Sequence, residues 1–193
     1  MIDESFAYYY ALQHEARARV RNALNAKVKP TDGLMFRGLT LCSILGPDVG
    51  DAIGFAEGEW PKFYGPETHH GFSRGWGDLA KAAWAAPDHF NLAIWQRVSD
   101  RSILVGLALG NPSHARTHLT LKWIERYFGP SPLAGRVLEV VLACAEEYAK
   151  LLGSERVLIK DPVDPTKYAR YGYEPYAHPN VPYGGNYMAR EVS

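Results

Sequence analysis

The stretch from residue 123 to residue 173 constrains the fold of this chain more than any other. Its pattern predicts a strand, a loop rich in glycine and proline, one long helix, a second strand and a short helix that ends at Tyr171-Gly172-Tyr173. A strand–helix–strand unit of this length usually pairs its strands in parallel, and the loop before its helix commonly binds anions. The sequence therefore predicts an anion site at the start of the long helix.

The long helix has the clearest predicted boundaries. Ser131 is a favourable N-cap, and Pro132 falls at the first helical position, where a missing N–H costs nothing. Gly153 follows the last apolar residue and predicts the C-terminal stop. Helical spacing of apolar residues between 137 and 152 indicates that the helix is packed along much of its surface.

The start of this helix carries the predicted anion site. Three backbone N–H groups would point out of the helix there, those of Leu133, Ala134 and Gly135. The guanidinium of Arg136 and the positive end of the helix dipole add to them, which makes a site of phosphate size. Gly129 and Gly135 would let a ligand approach the backbone closely.

The residue pattern before residue 90 predicts mostly helices. Residues 3–27 have helical apolar spacing, 33–41 predict a first strand, and 48–60 and 78–86 predict two short helices. Between the short helices, residues 61–77 form a long loop rich in glycine, histidine and aromatic residues. Loops of this length are often functional, so a binding role and a merely connecting role both stay open.

Strand patterns dominate from residue 90 onward. Three runs rich in branched and aromatic residues predict strands at 90–98, 102–110 and 118–128. The short turn between the first two predicts that they pair antiparallel. After the long helix, 155–160 and 186–192 predict two more strands, with a short helix between them at 166–171.

Alternation in the third strand predicts two distinct faces. The first face would hold Leu119, Leu121 and Trp123. The second face would hold Thr120, Lys122, Ile124 and Arg126. This strand is therefore expected to be at least half buried.

Composition limits the classes of protein. With 193 residues, 47% of them apolar, the chain suits a single domain with a substantial core. Twenty-one basic residues balance twenty-one acidic ones, so no net charge draws the chain to nucleic acid or to an anionic membrane. Cys42 and Cys144 cannot make a disulfide framework, the N-terminus is acidic, and no apolar run reaches spanning length. We therefore expect a cytoplasmic protein with no membrane partner.

Other catalytic constellations fit poorly. His114 and His118 have the spacing of a zinc-binding helix face, but Ala115 stands where a catalytic glutamate would, and a strand follows. The chain has no P-loop, nucleophile elbow or Cys-x-x-Cys pair. We expect no metal site, and kinase, serine hydrolase and redox functions are disfavoured.

The order of the elements and the closing motif resemble one known family. Three strands, a loop, the long helix, a strand and a short helix with Tyr168-x-x-Tyr171-Gly172-Tyr173 resemble the GNAT family of acyl-CoA-dependent N-acyltransferases. The resemblance covers residues 90–192 well, fits 48–86 loosely, and leaves residues 1–30 as a helical extension of a single domain, 1–193. It implies an α/β (α+β) fold: a mixed, mostly antiparallel sheet with a central parallel pair of splayed strands and helices on both faces.

The resemblance implies where acetyl-CoA would bind. In the family, a bulge splays the strand that corresponds to 118–128 from its parallel neighbour, and acetyl-CoA lies in the opening. The pantetheine arm would pair with the backbone of Trp123, Ile124, Glu125 and Arg126. The pyrophosphate would lie on a loop and helix start that include Gly129, Leu133, Ala134, Gly135 and Arg136. Asp161 falls where the family frequently has an asparagine, and we count it with these residues.

The resemblance also implies catalytic residues. Tyr168 stands four residues before Gly172, where members commonly place a tyrosine that protonates the departing CoA thiolate. Transfer of the acyl group also needs a neutral amine and an N–H donor for the developing oxyanion. The backbone at 123–125 could supply this N–H donor. Glu125, at the splayed end of its strand, is the first candidate base. A solvated carboxylate paired with Arg126 or Arg97 is the alternative.

The resemblance thus implies an acyl-CoA-dependent N-acyltransferase that moves an acetyl group to a primary amine of a small molecule or a protein. One departure keeps a second hypothesis open, a catalytically silent GNAT-like protein-binding module. The loop at 129–134 lacks the family's first basic or amide residue, and Pro132 replaces its middle glycine.

The acceptor is expected to bind at 61–77, the second short helix and 178–183. An aminoacyl-tRNA acceptor, as in toxin members of the family, is disfavoured by the net charge of zero. The aromatic residues of the first helix are compatible with a homodimer.

Overall fold

The computed structural model describes residues 4–26, 36, 38–46, 50–65, 74–84, 86–179 and 185–192. Parts of the predicted first strand, of the 61–77 loop and of the 178–183 segment lie outside these residues, as does the predicted helix start at Asp48.

Seven strands form one sheet. They are β1 (Leu39–Cys42), β2 (Phe90–Val98), β3 (Arg101–Pro112), β4 (His118–Arg126), β5 (Arg156–Lys160), β6 (Glu174–Tyr176) and β7 (Tyr187–Glu191). Their order across the sheet is β1-β2-β3-β4-β5-β7-β6. Within the described chain the paired strands are antiparallel except β4 and β5, which run parallel. The mixed, mostly antiparallel sheet with a central parallel pair confirms the predicted fold class.

Helices cover both faces of the sheet, as predicted. They are α1 (Glu4–Ala26), α2 (Ala52–Gly58), α3 (Trp76–Trp84), α4 (Val137–Leu152) and α5 (Pro165–Ala169), with a 3-10 turn at Trp60–Phe63. On one face α1 and α4 pack together over the larger core. On the other face α2 and α3 pack over a second core that is rich in tryptophan.

Buried polar side chains help to fix α1 to the domain. The Oε1 atom of Gln13 accepts hydrogen bonds from Arg17, at 3.1 Å, and from Asn91, at 2.9 Å. The Nε2 atom of Gln13 donates to the carbonyl of His89 at 3.0 Å. Gln13 and Arg17 are buried, which apolar spacing alone did not predict, although the helix itself lies close to its predicted range.

The long helix ends where the sequence predicts but begins later. Gly153 has a φ of 74° and terminates α4 in the left-handed conformation. The predicted start at Ser131 and Pro132 is wrong, because α4 begins at Val137. Residues 132–136 form turns instead, and Gly135 interrupts helical geometry with a φ of 81°.

A bulge in β4 corrects the predicted faces of that strand. Leu109 of β3 pairs with Trp123 and the next residue, Gly110, pairs with Leu121, so Lys122 is an extra residue in β4. The extra residue reverses the alternation of side chains. Leu119 and Leu121 therefore belong to the core under α4, together with Ile124. Trp123 packs against the opposite core, so the prediction that it shares a face with Leu119 and Leu121 is wrong.

Candidate active site

The parallel strands β4 and β5 separate at the bulge. Their pairing runs from His118 opposite Arg156 to Leu121 opposite Ile159, where the register ends. Beyond this point β4 continues along β3 as far as Arg126, whereas β5 extends only one residue further, to Lys160 opposite Tyr187 of β7. The part of β4 that follows the bulge is therefore not paired with β5 in the described ladder, and this end of the strand pair is called the opening.

Glu125 lies on the β4 side of this opening and is held by two aromatic side chains. The hydroxyl of Tyr64 donates to Oε1 of Glu125 at 2.5 Å, and the indole Nε1 of Trp76 donates to Oε2 at 2.6 Å. Tyr64 directly follows the 3-10 turn, and Trp76 is the first residue of α3. Glu125 therefore faces the side of the sheet that α2 and α3 cover.

The described partners of Glu125 are Tyr64 and Trp76, and the carboxylate is half-buried. The guanidinium of Arg126 lies 4.1 Å from the ring centre of Phe128 and donates to the carbonyl of Tyr127. The backbone of Arg97 pairs in the β2–β3 ladder, opposite Ser102. The alternative of a solvated carboxylate paired with one of these arginines stays a prediction.

Aromatic rings pack around the Glu125 site. The ring centres of Tyr64 and Phe128 are 6.1 Å apart, and those of Phe63 and Tyr127 are 5.0 Å apart, both in edge-to-face geometry. Burial raises the pKa of Tyr64 above its ordinary value, and the hydrogen bond to Glu125 raises it further. Burial also raises the pKa of Tyr127. Both phenols therefore stay protonated near neutral pH.

The predicted donors before α4 are largely used within the protein. The N–H of Leu133 contacts Oε1 of Gln96 at 3.2 Å and Oγ of Ser131 at 3.1 Å, and the N–H of Ala134 bonds the carbonyl of Ser131. The Ser131 hydroxyl donates to the same Gln96 oxygen at 3.0 Å. Ser131 thus caps a turn that is anchored on β2, instead of capping α4.

Arg136 is placed at the start of α4, as its predicted role requires, but it has a partner in the same helix. Its Nε atom lies 2.5 Å from Oε2 of Glu139. Its guanidinium also lies 5.5 Å from the ring centre of Phe36. The positive charge that Arg136 brings to the start of α4 is therefore balanced by a carboxylate on the first turn.

Tyr168 lies on the opposite face of the sheet from Glu125. It belongs to α5, packs against the core under α4 and contacts the ring of Tyr173 edge-to-face, with 6.5 Å between ring centres. Burial raises the pKa of Tyr168, and the charge of Asp164 adds to the effect. The phenol therefore remains a proton donor near neutral pH.

Asp161 directly follows β5, at the other edge of the opening. Its φ of 49° is a conformation that aspartate and asparagine tolerate better than most residues. Its N–H donates to the carbonyl of Asn186 at 2.7 Å, and its Oδ1 accepts from the N–H of Asn186 at 2.9 Å. Asp161 therefore links the end of β5 to the segment that precedes β7.

Basic side chains occupy the β4–β5 face that α4 does not cover. Burial and the charge of Lys160 lower the pKa of Lys122, whose Nζ lies 5.9 Å from the ring centre of Trp123. Burial, His178 and Arg156 lower the pKa of His118. The structure thus places Lys122 and Lys160 at the end of the strand pair where the opening begins, and His118 and Arg156 at the other end, a distribution that the balanced overall composition did not reveal.

Three residues of this region were not predicted from the sequence: Tyr64, Trp76 and Gln96. Tyr64 and Trp76 do lie within the aromatic-rich 61–77 loop that was expected to contribute to the acceptor side. Their contact with Glu125 bridges 61 and 49 residues of sequence, so no local pattern could show it. Among the described residues, no cluster of histidine, cysteine, aspartate and glutamate could hold a metal ion, and no helix is long and apolar enough to cross a membrane.

Comparison with known proteins finds similar structures but no matching sequence family. No protein-family model matches the chain, and no curated protein sequence matches it. A putative GNAT-family acetyltransferase from Desulfovibrio desulfuricans has a TM-score of 0.53 at 18% identity, with 80% of this chain and 99% of that chain covered. An aminoglycoside 6'-acetyltransferase type Ii has a TM-score of 0.53 at 16% identity, over 80% and 97%.

A third solved structure adds a ligand to the comparison. It is an aminoglycoside 6'-N-acetyltransferase complexed with coenzyme A, with a TM-score of 0.50 at 14% identity over 80% of this chain and 97% of that chain. At these identities the similarity is one of fold. The chain therefore has the fold of the GNAT acetyltransferases, as its sequence predicts.

Proposed function

We propose that this protein is an acyl-CoA-dependent N-acyltransferase that transfers an acetyl group to a primary amine of a small molecule or a protein. One observation supports the proposal: the pairing of β4 with β5 ends at Leu121 and Ile159, and Glu125 and Tyr168, which follow along these two strands, lie on opposite faces of the sheet. A proton acceptor and a proton donor on opposite sides of one gap suit a reaction in which the two substrates enter from opposite faces.

The backbone of β4 beyond the bulge suits a pantetheine arm. Trp123, Ile124, Glu125 and Arg126 follow the point where pairing with β5 ends. An extended amide-containing chain can add to such a strand through backbone hydrogen bonds. Just beyond this stretch, the guanidinium of Arg126 stacks on the ring of Phe128.

The pyrophosphate of the acyl donor would lie on the segment from Gly129 to the start of α4. The positive φ of Gly135 and the N-terminus of α4 support this placement, together with the charge of Arg136. Leu133 is buried in the core under α4, and its N–H and that of Ala134 are already bonded, so we assign both residues to the support of this loop. Asp161 would border the opposite edge of the gap.

The bound acyl donor supplies a thioester carbonyl and a thiol leaving group. The amine nitrogen forms a bond to that carbonyl carbon while the carbon–sulfur bond breaks with its electron pair on sulfur. Glu125 would take the proton that the amine loses, directly or through water. Tyr168 would give its phenolic proton to the departing thiolate, and the raised pKa of Tyr168 keeps that proton in place beforehand.

A second candidate function rests on a specific observation. The pairing of Arg136 with Glu139 and the use of the Leu133 N–H by Gln96 leave the start of α4 less suited to a pyrophosphate than the family pattern implies. A catalytically silent protein-binding module with the same fold is the alternative that this arrangement favours.

Calorimetric titration with CoA and acetyl-CoA, followed by a thiol-release assay with a broad panel of primary amines, tests the proposal. We expect binding and amine-dependent thiol release, with kcat reduced in Tyr168→Phe and retained in the control Tyr8→Phe, whose exposed side chain lies on α1. Binding without thiol release from any amine would favour the silent module. An absence of binding at millimolar CoA would overturn both the donor assignment and the activity.

A further inference from the structure

The carboxylate of Glu125 is hydrogen-bonded to residues on the α2/α3 side of the domain. Both oxygens of Glu125 accept a hydrogen bond, and the two donors come from different elements. Trp76 is 4% exposed and belongs to the second core, so its ring is fixed by packing. Tyr64 packs edge-to-face on Phe128. Two rigid rings therefore determine where this carboxylate lies.

The direction of both hydrogen bonds is defined by chemistry. An indole N–H can only donate, so Glu125 must accept from Trp76. The Tyr64 phenol keeps its proton near neutral pH because burial and the neighbouring carboxylate raise its pKa. The Glu125 side chain has three rotatable bonds and would otherwise sample several rotamers at the strand end. The two aromatic donors therefore restrict it to few rotamers.

We infer that Tyr64 and Trp76 are positioning residues that orient Glu125 toward the incoming amine, an inference that rests on the proposed acyltransferase function. A general base acts only within hydrogen-bond reach of the proton that it removes. A displacement of about 1 Å can reduce a rate about 100-fold. Holding Glu125 by both oxygens keeps it on the amine side of the opening.

The residues that hold Glu125 and the proposed proton donor Tyr168 come from different parts of the chain. The elements that position Glu125 lie between β1 and β2 in the chain, whereas Tyr168 follows β5. Tyr64→Phe keeps the ring that packs on Phe128, and neither Tyr64 nor Trp76 belongs to the segments assigned to the acyl donor, so we expect these substitutions to act mainly on the amine side of the site. The two positioning residues should affect turnover and the use of the amine, with little effect on the KM for acyl-CoA.

Steady-state kinetics of Tyr64→Phe and Trp76→Phe test the positioning roles, with Tyr8→Phe as the matched control on α1. We expect each variant to lower kcat/KM for the amine about tenfold or more, with the KM for acyl-CoA within about twofold of wild type. Circular dichroism of each variant checks that the fold is retained. Active variants whose kcat/KM stays within about twofold of an active wild type would overturn the roles of both residues.

Indole N–H resonances give a readout that does not depend on acyl transfer. We expect Glu125→Gln and Tyr64→Phe to shift the Trp76 resonance. The Trp60 resonance should stay in place, because its Nε1 donates to the carbonyl of Leu104 at 3.0 Å. A Trp76 indole N–H resonance whose chemical shift is unchanged by both substitutions would overturn the inference. A wild type that transfers to no amine overturns the proposed function, and the positioning role with it, even if the Trp76 signal shifts as expected.

Discussion

The Nε atom of Arg136 lies 2.5 Å from Oε2 of Glu139, within the first turn of α4. The side chains are 38% and 31% exposed, so water screens the pair only in part. The carboxylate also lies where the helix dipole favours negative charge. Glu139 is thus an internal competitor for any anion that approaches the start of α4, and the proposed acyl-CoA site depends on how easily it is displaced.

Replacing Glu139 by glutamine should therefore improve the binding of CoA. We expect Glu139→Gln to raise affinity about twofold to fivefold, the range that corresponds to a partly exposed ion pair. Titration calorimetry at low ionic strength measures the change. The matched control is Glu147→Gln, which removes a carboxylate paired with Lys150 at 3.3 Å on the same helix. An equal gain in both variants would point to overall charge and not to the Arg136 pair.

The side chain of Gln96 should contribute to the free energy of unfolding through its hydrogen bonds to the loop before α4. Its Oε1 receives the Ser131 hydroxyl and the Leu133 N–H, and Gln96 is 1% exposed. Gln96→Ala leaves these buried donors with fewer partners, which we expect to reduce the free energy of unfolding by about 1–3 kcal/mol. Urea denaturation measures this loss. Ser131→Ala keeps the bond between Gln96 and Leu133, so its effect should be the smaller one, and the reverse order would contradict the assignment.

Much of the fold could be predicted because its signals are local. Apolar spacing located α1 and most of α4, and the requirement for a left-handed residue located the end of α4 at Gly153. The start of α4 could not be found in this way. A serine and a proline satisfy the rules for a helix start, but tertiary contact with Gln96 on β2 uses the serine for a different turn.

The site could be predicted only in part for a related reason. Glu125 is a predicted base because of its position at a strand end, whereas its hydrogen-bond partners depend on how a distant helix docks on the sheet. The faces of β4 were mistaken because strict alternation does not foresee an extra residue at Lys122. That same bulge opens the gap on which the proposed function depends.

His118 should make the protein less stable in acid. Burial and the positive charges of His178 and Arg156 lower the pKa of His118 below its ordinary value of 6.5. The unfolded chain then binds the proton more readily than the folded one, so the stabilising effect of neutral His118 is complete above the unfolded pKa and is lost as the pH falls through the folded pKa. We expect His118→Asn to flatten the decline of Tm between about pH 7 and about pH 5.

The control for this pH dependence is His114→Asn, which removes an exposed histidine four residues earlier. Thermal denaturation across the same pH range should show the wild-type decline in this variant. If His118→Asn and His114→Asn change the decline equally, the effect belongs to general charge and not to the burial of His118 beside His178 and Arg156.

Gly106 should be required where β3 passes beneath the start of α4. A Cβ at this position would lie 2.5 Å from Cγ1 of Val137 and 3.2 Å from Cδ1 of Ile94, both in the main core. Gly106→Ala therefore forces the first residue of α4 away from the sheet, and we expect it to lower the free energy of unfolding by about 1–3 kcal/mol. Gly58→Ala is the matched control, because a Cβ there meets no atom within 4 Å and alanine favours the last turn of α2. Urea denaturation should show a loss for the first variant and none for the second, and an unchanged Gly106→Ala would contradict the close packing of α4 on β3.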